Sequence, residues 1–355
     1  MPLEKTINGS QQSSEPGPAR HNYDLGGYND GQARYESGSC LPVGVLTNPR
    51  SGGNKKGLNE MRNLLAKWPK VLHREAFTPE NMHEALSDFS RNGVKLVVIN
   101  GGDGTVHAVL TAIGQEEIFA KPPLLALLCA GTTSMLPRDV GVAGTPVAAL
   151  SRILLWAKST DESLTVLPRH VLRVQSASRQ QPLFGMFFGV GVICQGIKIF
   201  HSGVNPMGWR GELMPFLTML RMLLAILFKD QEKVSPLLAR IRINGHLQEE
   251  RADLFVLIST LKRLFLGIRP YWGEEDEPLH YTAVAAKHKC LLRVLPALLR
   301  GRKNRYAKEA NGYFSHNVQE VQLEIEGDFT IDGELYDASG GPVTVGPAGP
   351  VMFLS

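Results

Sequence analysis

The chain has 355 residues, 43% of them apolar and 20% charged, with a formal net charge of +4 at pH 7. That length accommodates two ordinary domains with a sizeable core, and the composition is that of a globular protein. So small a net charge gives no argument for nucleic acid as a partner, and none is expected.

Residues 1–40 are rich in Ser, Gly, Gln, Asn and Pro and hold no apolar segment. They read as a disordered tail and not as a secretory signal. The four cysteines, Cys40, Cys129, Cys194 and Cys290, are far apart in sequence, so no CxxC pair exists for a redox motif or a zinc site. Reduced thiols of a cytoplasmic protein are expected.

From 41 to 165 strand and helix alternate. Val43–Asn48 is a short apolar run, and Leu58, Met61, Leu64 and Leu65 share a helical face after it. Val71–Phe77 reads as a second strand. Thr78 then supplies an N-cap with Pro79 at the first helical position, Met82, Ala85, Leu86 and Phe89 line one face, and Gly93 ends the helix. Val94–Ile99 has no polar alternation after Lys95, as in a strand covered on both faces. A helix follows near Thr105, then a strand at Leu124–Leu128. This order predicts an α/β domain with a mainly parallel sheet.

From 166 to 355 the pattern becomes β-rich. Strands are expected at Val171–Gln175, Leu183–Val190, Ala239–Ile243, Leu254–Ser259 and Val321–Ile325, with a hairpin turn at Asn244-Gly245. A β-sandwich-like domain with helical insertions is predicted. The longest apolar run, Leu213–Phe228, is broken by Pro215 and Arg221 and is shorter than the roughly 20 residues a spanning helix needs.

Three predicted strands end in glycine-bearing loops: Asn48–Gly57 (NPRSGGNKKG), Asn100–Thr105 (NGGDGT) and Ala130–Met135 (AGTTSM). Beyond the carboxyl ends of parallel strands, bare backbone and a helix N-terminus favour phosphate. Asp103 would repel phosphate unless a cation such as Mg²⁺ bridged them. None of the loops fits GxxxxGK[ST] or GxGxxG, so neither a Walker loop nor a dinucleotide fingerprint is present.

These motifs, with a late DGE at Asp332–Glu334, resemble the diacylglycerol kinase catalytic-domain family, which includes bacterial lipid kinases and sphingosine kinases. The matching elements are NPxSGG (Asn48–Gly53), GGDGT (Gly101–Thr105), the GT of the third loop (Gly131–Thr132) and DGE, in family order. GGDGT alone is shared with NAD kinases. The resemblance implies ATP with Mg²⁺ in the cleft between a three-layer α/β domain and a β-sandwich-like domain. It places Asn48, Ser51, Gly52, Gly53, Gly101, Gly102, Asp103, Gly104, Thr105, Gly131 and Thr132 at the nucleotide. Thr78 matches a nucleotide-contacting position, beside its reading as an N-cap. The chain departs from the family at His107-Ala108, where Asn-Glu is common, and at Gly131–Met135, where GTxND is common. Altered substrate or metal handling, or weak catalysis, would follow.

Phosphoryl transfer needs charge neutralisation, a positioned hydroxyl and a proton acceptor. Asp103 is assigned to Mg²⁺, and Asp332 or Glu334 to the base. By spacing alone, Asp332-Gly333 between apolar residues is a hairpin turn. Glu277, in Gly273–Pro278, lies where related bacterial kinases carry an acidic Mg²⁺ site. It reads equally as part of a solvated loop. His107 reads as a packing or capping residue.

Lys287–Lys308 contains eight Lys or Arg residues, no acid, and interleaved leucines. It suits an anionic membrane surface, and reads also as a solvated basic helix or a site for ATP phosphates. The expected protein is an ATP-dependent lipid kinase, peripheral on the cytoplasmic face of a membrane and acting on a diacylglycerol-like or other hydroxyl lipid. A kinase of a soluble hydroxyl compound and a nucleotide-binding regulator without catalysis stand as alternatives. A homodimer is left open.

Overall fold

In the computed structural model, which describes residues 41–131, 134–158, 164–201, 236–264, 267–302 and 304–355, the first part of the chain alternates strand and helix. The elements are β1 (Val43–Thr47), α1 (Asn54–Ala66), β2 (Leu72–Glu75), α2 (Pro79–Arg91), β3 (Leu96–Gly101), α3 (Asp103–Gln115), β4 (Leu124–Cys129), α4 (Met135–Val140) and α5 (Pro146–Ala157). Strands β1 and β3 are buried along their whole length. Their near-continuous apolar sequence follows from that, because each face meets a helical layer.

All pairings among β1 to β4 are parallel, in the order β4-β3-β1-β2. Val43, Val45, Leu96 and Val98 pack with Met61, Leu65 and residues of α5. Leu46, Val97 and Ile99 face the opposite way, against Met82, Leu86 and Phe89 of α2 and Val106, Val109 and Leu110 of α3. The predicted α2 is formed as its sequence suggests. The Thr78 hydroxyl accepts from the Asn81 N–H at 3.3 Å, and Gly93 takes φ +69°.

The second part comprises β5 (Val166–Ser176), β6 (Leu183–Gly185), β7 (Phe187–Gly191), α6 (Val192–His201), β8 (Leu237–Ile243), β9 (His246–Leu247), β10 (Arg251–Ser259), β11 (Leu279–Ala285), α7 (Leu291–Arg300), β12 (Tyr313–Val318), β13 (Val321–Ile325), β14 (Asp328–Ile331), β15 (Glu334–Asp337) and β16 (Val343–Leu354). Asn244 and Gly245 both take positive φ, +49° and +81°, in the β8–β9 hairpin. One apolar core collects Leu172 and Val174 from β5, Phe188 and Val190 from β7, Ile241 from β8, Tyr281 from β11 and Phe329 and Ile331 from β14. Strands β14, β7, β10 and β8 are consecutive in the sheet and β11 pairs with β10, whereas β5 is reached only through β16, so strands from both ends of this run share one core.

Two sequence expectations differ from this arrangement, and two fall outside it. The strand expected over Leu183–Val190 is interrupted at Met186, whose backbone is claimed by the site described below. Helix α6 was not anticipated. The Leu213–Phe228 run and the residue 1–40 tail lie outside the described residues. Among those described, no helix is long and apolar enough to cross a membrane.

Strand β16 joins the two parts. It pairs antiparallel with β5 from Val343 to Leu354 and with β13 at Val343–Val345, while Phe353 and Leu354 also pair parallel with Leu125 and Ala126 of β4. The C-terminus therefore completes the sheet that the N-terminal segment begins, and the expected boundary at 165/166 is crossed by the chain's last strand. Phe353 is fully buried in the core that holds α2 and α3. Phe353→Ala is expected to destabilise the fold by about 3–5 kcal/mol, read as a lowered urea midpoint with unchanged slope.

Candidate active site

The three glycine loops meet because their main chains touch. A methyl group on Gly131 would stand 2.7 Å from Gly102 Cα, and one on Gly53 2.9 Å from the Ala130 carbonyl oxygen. No residue with a Cβ fits there without displacement. The Gly53 N–H donates to Ala130 O at 2.8 Å, the Gly102 N–H to Ser51 Oγ at 3.2 Å, and the Gly131 N–H to Ser134 Oγ at 3.0 Å. Asn48 adds a side-chain bridge, its Nδ2 donating to Thr105 Oγ1 at 2.9 Å. Asn54 Nδ2 donates to the carbonyls of both Asn48 and Asn100, at 2.8 and 3.1 Å. Much of the polar inventory expected at a ligand thus ties loop to loop. It builds a floor at the N-terminal end of α3.

Asp103 has a structural task that differs from the one expected. Its two carboxylate oxygens accept from the N–H groups of Met135 and Leu136, each at 3.0 Å, at the start of α4. The residue is buried. A carboxylate there satisfies orphan amides of a helix start and fastens the second loop to the third.

The DGE segment closes the site from the other part of the chain. Asp332 and Gly333 take φ of +49° and +96° and form the two-residue turn between β14 and β15. The hairpin expected from spacing is therefore formed. The Asp332 N–H donates to Phe187 O at 2.9 Å, and Oδ1 accepts from the N–H groups of Met186 and Phe187 at 3.1 and 2.9 Å. These bonds occupy the backbone where the predicted 183–190 strand breaks. Desolvation pushes the Asp332 carboxyl well above the usual carboxylate range and the charge of Asp103 adds to it, against the opposing effect of the Met186 and Phe187 amides. Glu334 lies across the first turn of α3: its Oε1 would be 2.6 Å from a Cβ on Gly104.

His107, one turn further along α3, holds the same hairpin. Nδ1 donates to Phe184 O at 2.8 Å, which leaves Nε2 to accept the Tyr336 O–H at 2.6 Å. Burial lowers its pKa to about 4, partly offset by the Phe184 carbonyl and reinforced by Arg179. The ring is therefore neutral, with the tautomer fixed by its two partners. Tyr336, stacked on Phe329, is pushed up to about 12, chiefly by burial.

A cavity of about 1350 Å³ runs over this floor. Its polar end is lined by Ser51, Gly52, Gly102, Gly104 and Gly131, with Arg50 stacked over Phe77 at 4.2 Å at its edge. Asp332, Glu334, Tyr336 and Arg179 stand along it. Its other end is apolar, walled by Ile193 and Ile197 of α6, Leu257 of β10 and Leu291 and Leu295 of α7. A floor of main chain that a Cβ would fill suits the close approach of a triphosphate. Mg²⁺ needs only one or two carboxylates when phosphates supply the rest, and Glu334, facing the polar end, is placed to be one.

Of the residues expected at the nucleotide, Asn48, Ser51, Gly52, Gly102, Asp103, Gly104, Thr105 and Gly131 line the cavity. Gly53 and Gly101 are not among its lining residues. The Thr78 hydroxyl is turned to its own helix, and its neighbours Phe77 and Pro79 face the cavity instead. Thr132 lies outside the described residues. Glu277 is not brought to the cavity. It sits on an exposed loop leading into β11, where Glu275 takes the Asn317 N–H and His316. No group of three His, Cys, Asp or Glu placed to hold a metal occurs among the described residues. Tyr336, Arg179 and Arg50 were missed. Only the two-residue spacing of Glu334 and Tyr336 on one strand face pointed to any of them.

Residues 42–164 match the family model of the diacylglycerol kinase catalytic domain. A diacylglycerol kinase of known structure from Bacillus anthracis is similar over 88% of this chain and 95% of its own, at 16% identity and a TM-score of 0.58. A second Bacillus anthracis structure, provisionally named a diacylglycerol kinase, covers 88% and 96%, at 18% identity and a TM-score of 0.62. At these identities the likeness establishes a shared fold. No curated protein matches the chain in sequence.

The neutral His107 makes stability depend on pH. An unfolded imidazole binds a proton below about 6.5, the folded one only near 4, so the unfolded state holds more protons in between. This contribution is lost as pH falls through that window, by up to about 3 kcal/mol. The raised Asp332 titrates with the opposite sign, so the difference between the parent chain and His107→Gln isolates the histidine. Urea denaturation from pH 7 to pH 4 should show the smaller loss in the variant.

Proposed function

We propose that this protein is a kinase that transfers the γ-phosphate of ATP to the hydroxyl of a diacylglycerol-like or related lipid. The carrying observation is the shape of the cavity over the glycine floor. It begins on bare main chain at the start of α3, passes the Asp332–Glu334 turn, and ends between apolar walls. Its volume of about 1350 Å³ exceeds the roughly 300–1,000 Å³ of ordinary small-molecule sites, so it has room for a donor and an acceptor end to end. The apolar end favours an acceptor with hydrocarbon chains over a soluble hydroxyl compound, because burying such chains is what gives those walls their binding energy. The match of residues 42–164 supports the phosphotransferase class.

In this reading the glycine floor and the N-terminus of α3 receive the triphosphate. Mg²⁺, held by phosphate oxygens and Glu334, would neutralise their charge. Asp332 accepts the proton of the acceptor hydroxyl. Its raised proton affinity brings it toward the operating pH, as general-base catalysis requires. Arg179, at the cavity beside Tyr336, supplies positive charge where the phosphoryl group leaves ATP. Such an enzyme works from the cytoplasmic side, where ATP is available.

Incubation with γ-labelled ATP, Mg²⁺ and a total lipid extract in vesicles, followed by separation of the lipids, should yield a labelled phospholipid. Asp332→Asn and Glu334→Gln should each lower the rate by about 10²–10⁴-fold. With a base of raised pKa, kcat falls as pH drops through that pKa. Asp332→Asn should flatten this acid limb and Glu334→Gln should keep it. Label in a water-soluble product alone would overturn the lipid acceptor.

A further inference from the structure

We infer that α7, with the basic segment around it, is the surface by which this protein docks on an anionic lipid bilayer. The purpose of such docking rests on the lipid-acceptor reading above, but its test does not.

Helix α7 carries two adjoining apolar stripes with different exposure. Leu291, Leu295 and Leu299 line the apolar end of the cavity, and Val294 anchors the helix in a small core with Tyr313 and Val192. Leu292 is 68% exposed and Leu299 38%, with Pro296 exposed between them. The spacing of 292, 296 and 299 puts them on one outward face. Leu299 belongs to both stripes, so the outward face is continuous with the cavity wall.

The segment that carries this face has charge of one sign. Lys287, Lys289, Arg293, Arg300, Arg302, Arg305 and Lys308 are all exposed, and the sequence from Lys287 to Lys308 contains no acid. Arg293 and Arg305 lie over the Tyr306 ring, at 5.4 and 4.7 Å. Among the described residues, no ion pair joins any of these cations to a carboxylate. Water-exposed leucines ringed by cations complement a surface that is apolar below and anionic above, which is the boundary of an acidic bilayer. Docking there sets the apolar end of the cavity against the acyl layer. A lipid hydroxyl then enters without its chains crossing water.

The test is co-sedimentation of the full chain, without ATP, with vesicles of phosphatidylcholine alone or with about one third phosphatidylglycerol. Binding should require phosphatidylglycerol and weaken between 50 and 500 mM salt, the ordinary screening of exposed charge. The triple variant Lys287→Gln, Lys289→Gln and Arg302→Gln should bind about 100-fold more weakly, each cation being worth about a fivefold change. Leu292→Ser should weaken binding about tenfold with no change in melting temperature or sedimentation coefficient. Equal binding to both vesicle types, or full binding by both variants, overturns the proposal. So does a Leu292→Ser chain that melts lower or changes its oligomeric state, since protein would then cover that face.

Turnover of a short-chain, monomerically dissolved diacylglycerol separates this from the function above. Both variants should keep it while losing turnover on vesicles. If no lipid is phosphorylated but vesicle binding follows the expected pattern, the acceptor assignment fails and the docking surface stands.

Discussion

The Asp332 carboxyl is buried with almost no access to solvent, and the site is organised around that fact. A group so placed must find hydrogen-bond donors, and it finds them in the N–H groups of Met186 and Phe187. Meeting that need interrupts a strand, anchors the β14–β15 turn and brings Glu334 over the first turn of α3. Asp103 lies close enough for its charge to favour a proton on Asp332. The stability cost of burying one carboxyl thus has a direct chemical counterpart in a group whose proton affinity is raised.

The glycines act in a different order from the one their sequence suggests. Bare backbone was expected to receive phosphate directly. In the folded chain it first lets Gly102 and Gly131 approach, the amides of Gly53 and Gly102 join loop to loop, and that of Gly131 closes the third loop on itself. Asp103 adds to this by holding the start of α4. Preorganisation precedes recognition here: a floor fixed by its own hydrogen bonds needs little rearrangement when a charged ligand arrives.

The departures from the family motif at His107 and Ser134 have local structural accounts. His107 reaches both Phe184 and Tyr336, two groups on separate strands, and so fastens α3 to β6 and to the hairpin. Ser134 takes φ of +45° and accepts the Gly131 N–H, closing the third loop on itself. Each residue makes bonds within the protein, so positioning contacts stand where the family motif has its two amides.

The sequence by itself determined the elements and their local chemistry. The periodicity of Met82, Ala85, Leu86 and Phe89, the cap at Thr78, the unbroken apolar strands and the turn at Asp332-Gly333 all depend on residues a few positions apart, and all stand in the fold as read. The three glycine loops were legible for the same reason. Only the tertiary structure decided which of these residues meet. His107 and Tyr336 are separated by 229 positions, the last strand returns to β4, and Glu277 is carried to the exposed loop before β11 while Glu334 comes to rest on α3. Strand order and the burial of particular carboxyls arise from how the whole sheet closes around its cores. No pattern within a single segment encodes them.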